Sequence, residues 1–167
     1  MKGLKINIDV VPAPDEALRL LSLEGADALE LFAAASRVRG EFKGREVKLC
    51  SIINGKSGLC PEDCAFCSQS ARFRTHAPSY PLLSPDAILE RAIQMKSHGA
   101  RKFSIVTSGY NLSVEELDTI KKAVRLIKEK AGLGACASLG DLSMEELLSL
   151  KDAGLDKYHH NLETAQS

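Results

Sequence analysis

Three cysteines stand at Cys60, Cys64 and Cys67, at offsets of four and then three, in the segment Cys60-Pro61-Glu62-Asp63-Cys64-Ala65-Phe66-Cys67. With five cysteines in a chain of 167 residues, so tight a triplet is a poor product of chance and reads as a binding loop. Thiolates are soft donors that select zinc or iron–sulfur clusters, and structural zinc closes its tetrahedron with four protein ligands. The loop offers three. Cys50 or His76 could add a fourth zinc ligand, and a redox or disulfide role is a further alternative. Cys50, however, lies in the apolar run Val47-Lys48-Leu49-Cys50-Ser51-Ile52-Ile53, which reads as a buried strand where a cysteine behaves as a small hydrophobe. Three thiolates on one short loop suit a four-iron (4Fe-4S) cluster with one iron left open for chemistry, and the ligand count favours that reading.

The elements that must position this loop follow from the apolar pattern. Strand-like runs occur at residues 48–53, 102–106, 134–138 and 157–160, and amphipathic helices lie between them at 85–98, 114–130 and 144–153. Ser84 or Asp86 opens the first of these helices, Ser113 with Glu115 and Glu116 caps the second, and Ser143 with Glu146 forms a capping box for the third. Gly99, Gly132 and Gly154 end them. Ahead of this alternation, Pro12-Ala13-Pro14 leads into a helix at 16–21 with Asp15 as N-cap and Gly25 as its end. A second helix at 26–39 carries Leu29, Leu31, Phe32 and Ala35 as packing residues and stops at Gly40.

Strands alternating with helices imply right-handed crossovers and a parallel sheet, hence an α/β fold. Four such units make the first half of a (β/α)8 TIM-type barrel, because a complete barrel needs about 250 residues. The expected organisation is therefore an N-terminal helical extension over residues 1–45 and a partial barrel over 46–167, the N-terminal half of a longer protein or a truncated product, whose sheet edge would otherwise stand open. In such barrels functional groups sit at the carboxyl ends of the strands. The cysteine loop follows the first strand, Thr107-Ser108-Gly109 the second, Leu139-Gly140-Asp141 the third, and Asn161 with Glu163 the fourth. Cys136, on the third strand, could face inward.

The spacing Cys-xxx-Cys-xx-Cys resembles the signature of radical S-adenosylmethionine enzymes. The wider wording Asn54-Gly55-Lys56-Ser57-Gly58-Leu59-Cys60 through Ser68-Gln69-Ser70 is similar to the cluster loop of the biotin synthase family, and Tyr158-His159-His160-Asn161-Leu162-Glu163-Thr164 to a second stretch of it. The resemblance covers about residues 46–167. It implies that Cys60, Cys64 and Cys67 hold three irons of the cluster while S-adenosylmethionine chelates the fourth. Reductive cleavage of that cofactor then gives a 5′-deoxyadenosyl radical, which abstracts hydrogen from dethiobiotin for sulfur insertion to biotin. It further implies that the backbone at Phe66 meets the adenine, that Glu163 takes the ribose hydroxyls and that Asn161 takes the ureido group of the substrate. His159 shares a face with Asn161 by strand alternation and is a substrate candidate, whereas His160 reads as structural. An electron donor such as flavodoxin or ferredoxin and a homodimer at full length are implied as well.

The sequence departs from the family pattern at Ser104. Many biotin synthases bind an auxiliary iron–sulfur cluster through cysteines on the second and third strands; here the third-strand residue is Cys136, but the second-strand position is Ser104, a far poorer iron ligand. Either the auxiliary cluster is built differently, through Cys136 and cysteines beyond residue 167, or it is absent, and a differently built cluster is the expectation. A hydrogenase maturase-like radical enzyme and a non-catalytic iron–sulfur fragment remain the alternatives.

Composition excludes other classes. The 22 basic and 22 acidic residues balance, and no basic stripe interleaved with aromatics marks a nucleic-acid surface. No apolar run of eighteen residues is present, and the start Met1-Lys2-Gly3-Leu4-Lys5 is too polar for a signal peptide, so no membrane role and a cytoplasmic location are expected.

Overall fold

The computed structural model describes residues 10–161. The chain separates into two compact units, Met1–Val47 and Lys48–Ser167.

The first unit holds α1 (Pro14–Leu21) and α2 (Gly25–Lys43). Pro14 occupies the first helical position, where its missing N–H is not needed, so Ala13 is the N-cap and makes no side-chain cap. Asp15, expected as the cap, instead sits in the first turn, where its charge meets the positive end of the helix dipole. Gly25 does not end α1. Ser22 does, its hydroxyl donating to Arg19 O at 2.9 Å, and Gly25 opens α2. Nor does Gly40 stop α2, since a glycine is tolerated within a helix at a modest penalty; the helix ends where Gly44 turns the backbone to φ 68°. Leu29 and Phe32, expected to pack, are 67% and 65% exposed. Among the described residues of this unit the buried apolar side chains are Leu20 and Ala34.

The second unit is a parallel sheet in the order β1-β2-β3-β4, from β1 (Leu49–Lys56), β2 (Ala100–Thr107), β3 (Gly134–Ser138) and β4 (Lys157–Tyr158). Its crossovers contain α3 (Pro85–Ser97), α4 (Val114–Leu126) and α5 (Met144–Asp152), and α4 runs on into a π-helical turn at Ile127–Ala131 before Gly132 leaves it in the left-handed region. The capping box expected at Ser143 forms, and the cap expected at Ser113 is a capping box too: the two serines accept from the backbone N–H of Glu146 and Glu116, and those carboxylates accept from the cap N–H groups. Each such cap stabilises its helix by about 1 kcal/mol.

The strands sort their residues between two faces. Phe103, Ile105, Ala135 and Ala137 pack with Ile88, Ala92, Ile120, Val124 and Leu150 from the helices, forming the core. The alternate residues, Lys102, Ser104 and Val106 on β2 with Gly134, Cys136 and Ser138 on β3, face the other way, toward the barrel interior. Register places Cys50 beside Lys102 and Ile52 beside Ser104, so β1 contributes to the same interior face. The expectation of a buried Cys50 is corrected here: it is exposed, because β1 is an edge strand and its interior face is open, as the 67% exposure of Ile52 also records.

Candidate functional site

The backbone leaves β1 through a turn that few residues can make. Gly58 has φ 79°, and a Cβ there would lie 2.7 Å from the Ser79 side chain, while Leu59 takes φ 53°, the single positive φ of a non-glycine residue among the described residues. Beyond this turn the cysteine loop folds back on itself. Cys60 N–H donates to Gln69 O at 3.0 Å, Ala71 N–H to Cys60 O at 2.8 Å, and Cys67 N–H to Cys64 O at 2.9 Å.

Side chains pin the loop from outside. The Gln69 carboxamide oxygen accepts from Ser57 Oγ at 2.9 Å and from Gly58 N–H, closing the two ends of the loop on each other. Ser70 Oγ donates to Glu62 O, Arg72 Nε to Pro61 O at 3.1 Å, and Thr75 Oγ1 to Ser68 O at 2.8 Å. Ser108, at the end of β2, ties in by donating its hydroxyl to Gly58 O at 2.8 Å.

The loops after β2, β3 and β4 meet around Gly140. At φ 85° this residue lies so close to the preceding loop that a Cβ would stand 2.1 Å from Tyr110 O. Asp141 N–H donates to that same oxygen at 2.7 Å, and Tyr110 Oη donates to Asp141 Oδ2 at 2.9 Å. The hydrogen bond to Asp141, reinforced by its negative charge, raises the Tyr110 pKa. Gly140 O in turn accepts from Tyr158 Oη and lies 3.1 Å from His160 Nδ1. Burial is the largest cause of the raised pKa of Tyr158.

These strand ends enclose a cavity of about 450 Å³. Cys60, Cys64, Cys67 and Phe66 line it from the loop, Thr107, Ser108 and Gly109 from β2 and its end, Gly140 and Asp141 after β3, and Asn161 after β4. Of the strand-end positions singled out from the sequence, those among the described residues are thus brought to one space, except Leu139, which turns into the core. His159 is not in the cavity wall; His160 is. Regular pairing of β4 stops at Tyr158, so two-residue alternation does not carry through 159–161, and the His159 N–H is spent on Ala137 O at 2.8 Å. Glu163 lies outside the described residues. Cys136 is buried on the interior face and lines no part of this cavity, and burial raises its pKa.

Sequence reasoning missed Asn54, Gln69 and Tyr110 as cavity residues. Asn54 could have been found, since it shares the interior face of β1 with Ile52 and Cys50 at the carboxyl end. Gln69 could not, because its partners Ser57 and Gly58 are twelve and eleven residues away across the loop.

The donor set fits a cluster. Three partly buried thiols share one cavity with polar groups and an aromatic edge. Among the described residues no three His, Cys, Asp or Glu side chains converge on a single ion. A cubane makes no such demand, because each thiolate takes its own iron. No helix among the described residues is long and apolar enough to cross a membrane.

Comparison with known proteins agrees with this geometry. Residues 56–167 match the family model described as the radical SAM superfamily. The biotin synthase of Pelotomaculum thermopropionicum is 50% identical over 153 residues, covering 92% of this chain and 48% of that protein. The biotin synthase of Geobacter sulfurreducens is 53% identical over 154 residues, covering 92% of this chain and 47% of its own. The chain spans about half the length of the curated relatives it matches. Among solved structures, a methylornithine synthase superposes with a TM-score of 0.72 at 27% identity, over 92% of this chain and 45% of that one. A maturase of the FeFe-hydrogenase shares the fold at a TM-score of 0.62 and 18% identity, over 88% of this chain and 33% of that one.

Proposed function

Because the chain belongs to the radical SAM superfamily, we propose that it is the cluster-bearing part of a biotin synthase-like enzyme acting on a dethiobiotin-like substrate. The observation that carries this is the meeting of Cys60, Cys64 and Cys67 with Asn161 in one cavity at the carboxyl ends of parallel strands. Bound there, a 4Fe-4S cluster supplies the electron that cleaves S-adenosylmethionine and so opens an unreactive C–H bond of the substrate to sulfur insertion.

The chain's own residues bind and orient. Cys60, Cys64 and Cys67 would hold the cluster and leave it open to the cofactor. Phe66, at the cavity edge, would offer its backbone to the adenine. Asn161 presents a donor and an acceptor in one plane, which suits the ureido group. Glu163 is assigned to the ribose hydroxyls, and His159 stays a weaker substrate candidate than Asn161, with His160 now the histidine nearer the cavity. Cys136 is assigned to an auxiliary cluster. A one-electron donor such as flavodoxin or ferredoxin, a homodimer of the full-length protein, and a reducing cytoplasmic setting complete the reading.

One observation favours a second reading. Ser104, buried on β2 where the family carries a thiol, fits a related radical enzyme that does not use the usual sulfur source. The test is anaerobic reconstitution of the full-length protein, with iron and sulfide counts and product analysis. Biotin from dethiobiotin supports the first reading; deoxyadenosine without biotin supports the second. A zinc-bound protein, or iron content unchanged in Cys60→Ala, Cys64→Ala and Cys67→Ala, overturns both.

A further inference from the structure

Besides its thiols, the wall of the cysteine-loop cavity carries fixed charge of one sign. Glu62 and Asp141 line it, and among the described residues neither a lysine nor an arginine does. Lys56, just ahead of the loop, lines a neighbouring cavity and is paired with Glu116 at 2.6 Å. Both wall carboxylates act on the Tyr110 phenol and raise its pKa, Asp141 the more strongly, so the two stand around one side chain. Thr107, in the same wall, keeps a buried hydroxyl with no partner among the described residues, the mark of a wall that a polar ligand completes.

Asp141 is held at two points. Its N–H donates to Tyr110 O at 2.7 Å, and its Oδ2 accepts from Tyr110 Oη at 2.9 Å. Gly140, with no room for a Cβ against the Tyr110 carbonyl, lets the two loops approach closely enough for both bonds. The phenol is a neutral donor, so it fixes the carboxylate without cancelling its charge, and no ion pair does so among the described residues. A carboxylate fixed in a wall without Lys or Arg attracts a ligand by its positive charge, and does so without first having to be ordered.

We propose that Asp141, positioned by Tyr110, is a specificity-determining residue of this cavity that selects S-adenosylmethionine by the positive charge of its sulfonium. The proposal rests on the radical SAM reading and deepens it by assigning the choice between charged and uncharged sulfur to a residue of β3's loop. S-adenosylhomocysteine has the same adenosine, ammonium and carboxylate but a neutral thioether, so it lacks the group that Asp141 attracts. Reductive cleavage takes one electron from the cluster, breaks a carbon–sulfur bond and leaves the sulfur as the neutral thioether of methionine. The carboxylate therefore holds the intact cofactor and loses that hold once the bond has broken.

The test uses the full-length protein, reconstituted anaerobically and equilibrated by dialysis with S-adenosylmethionine or S-adenosylhomocysteine at about pH 8, above the ordinary range of a histidine side chain. Asp141→Asn removes the charge but keeps the side chain's shape and its acceptor for Tyr110 Oη. In this variant the Kd for S-adenosylmethionine is expected to rise about fivefold and that for S-adenosylhomocysteine by less than about twofold, the scale of one exposed charge pair. Equal losses for the two ligands, or none for either, overturn the proposal. A second measurement needs no variant to fold: raising the salt from about 0.05 to about 0.5 M is expected to narrow the wild-type preference for the sulfonium, and a preference insensitive to salt overturns the proposal. Failure of the parent reading is seen separately, in wild-type protein that binds neither ligand and whose cluster shows no change in electron paramagnetic resonance on addition of S-adenosylmethionine; that result overturns both.

Discussion

Replacing Gly140 by alanine sets one methyl group against the junction of three strand-end loops. The new Cβ would lie 2.1 Å from Tyr110 O and 2.6 Å from its carbonyl carbon, both backbone atoms, so the two loops must part by roughly 1 Å to restore van der Waals contact. That movement breaks the 2.7 Å hydrogen bond from Asp141 N–H to Tyr110 O. The alanine must also hold φ 85°, a left-handed backbone that disfavours a side chain. Adding about 1–2 kcal/mol for backbone handedness, about 1 for the hydrogen bond and about 1–2 for strain gives a destabilisation of roughly 3–5 kcal/mol. Gly132→Ala is the control: its φ is 63°, but a Cβ there meets only the mobile end of Lys96 at 3.3 Å, so the expected loss is the handedness term alone, about 1 kcal/mol. Urea unfolding followed by circular dichroism measures both variants. A difference between them below about 1 kcal/mol would refute the claim that backbone collision, and not conformation, makes this glycine necessary.

Three further outcomes follow from the same contacts. Gln69→Leu removes the acceptor of Ser57 Oγ and Gly58 N–H, a loss of about 1–3 kcal/mol local to the loop, and should speed iron release from the reconstituted protein to a ferrous chelator; an unchanged rate would show that the clamp does not hold the cluster loop. Ser143→Ala should lower stability by about 1 kcal/mol through loss of the α5 capping box, and Ser143→Asp should restore most of it in the same urea titration. Asp156 has its pKa lowered chiefly by the hydrogen bond from Lys128, and also by the backbone N–H of Ala135 at 2.7 Å. Its contribution is therefore present above the unfolded carboxylate pKa and lost as pH falls through the folded value, so the stability gap between wild type and Asp156→Asn should be constant near neutrality and shrink below about pH 4.

The alternation of the second unit was legible in the sequence because each helix is bracketed by local signals. Ser113 with Glu116 and Ser143 with Glu146 are read three residues apart, and Gly132 ends its helix by backbone handedness alone. The cysteine loop was legible for the same reason, since its three thiols are close in sequence. What was not legible depends on contacts between distant residues. Gly40 looks like a stop and is not, because nothing within reach of α2 requires one there. The exposure of Cys50 follows from the edge position of β1, which the strand's own apolar run does not reveal. His159 and His160 exchanged places relative to the cavity because β4 is two residues long, and a short ladder loses its alternation early.

The hydrogen bonds described above that shape the cysteine loop are made by amides, carbonyls, hydroxyls, a carboxamide and a guanidinium. A loop held by such contacts should keep its shape without metal, unlike small zinc modules whose apo chains are unfolded. Amide exchange along residues 57–71 should then be equally slow before and after cluster loading.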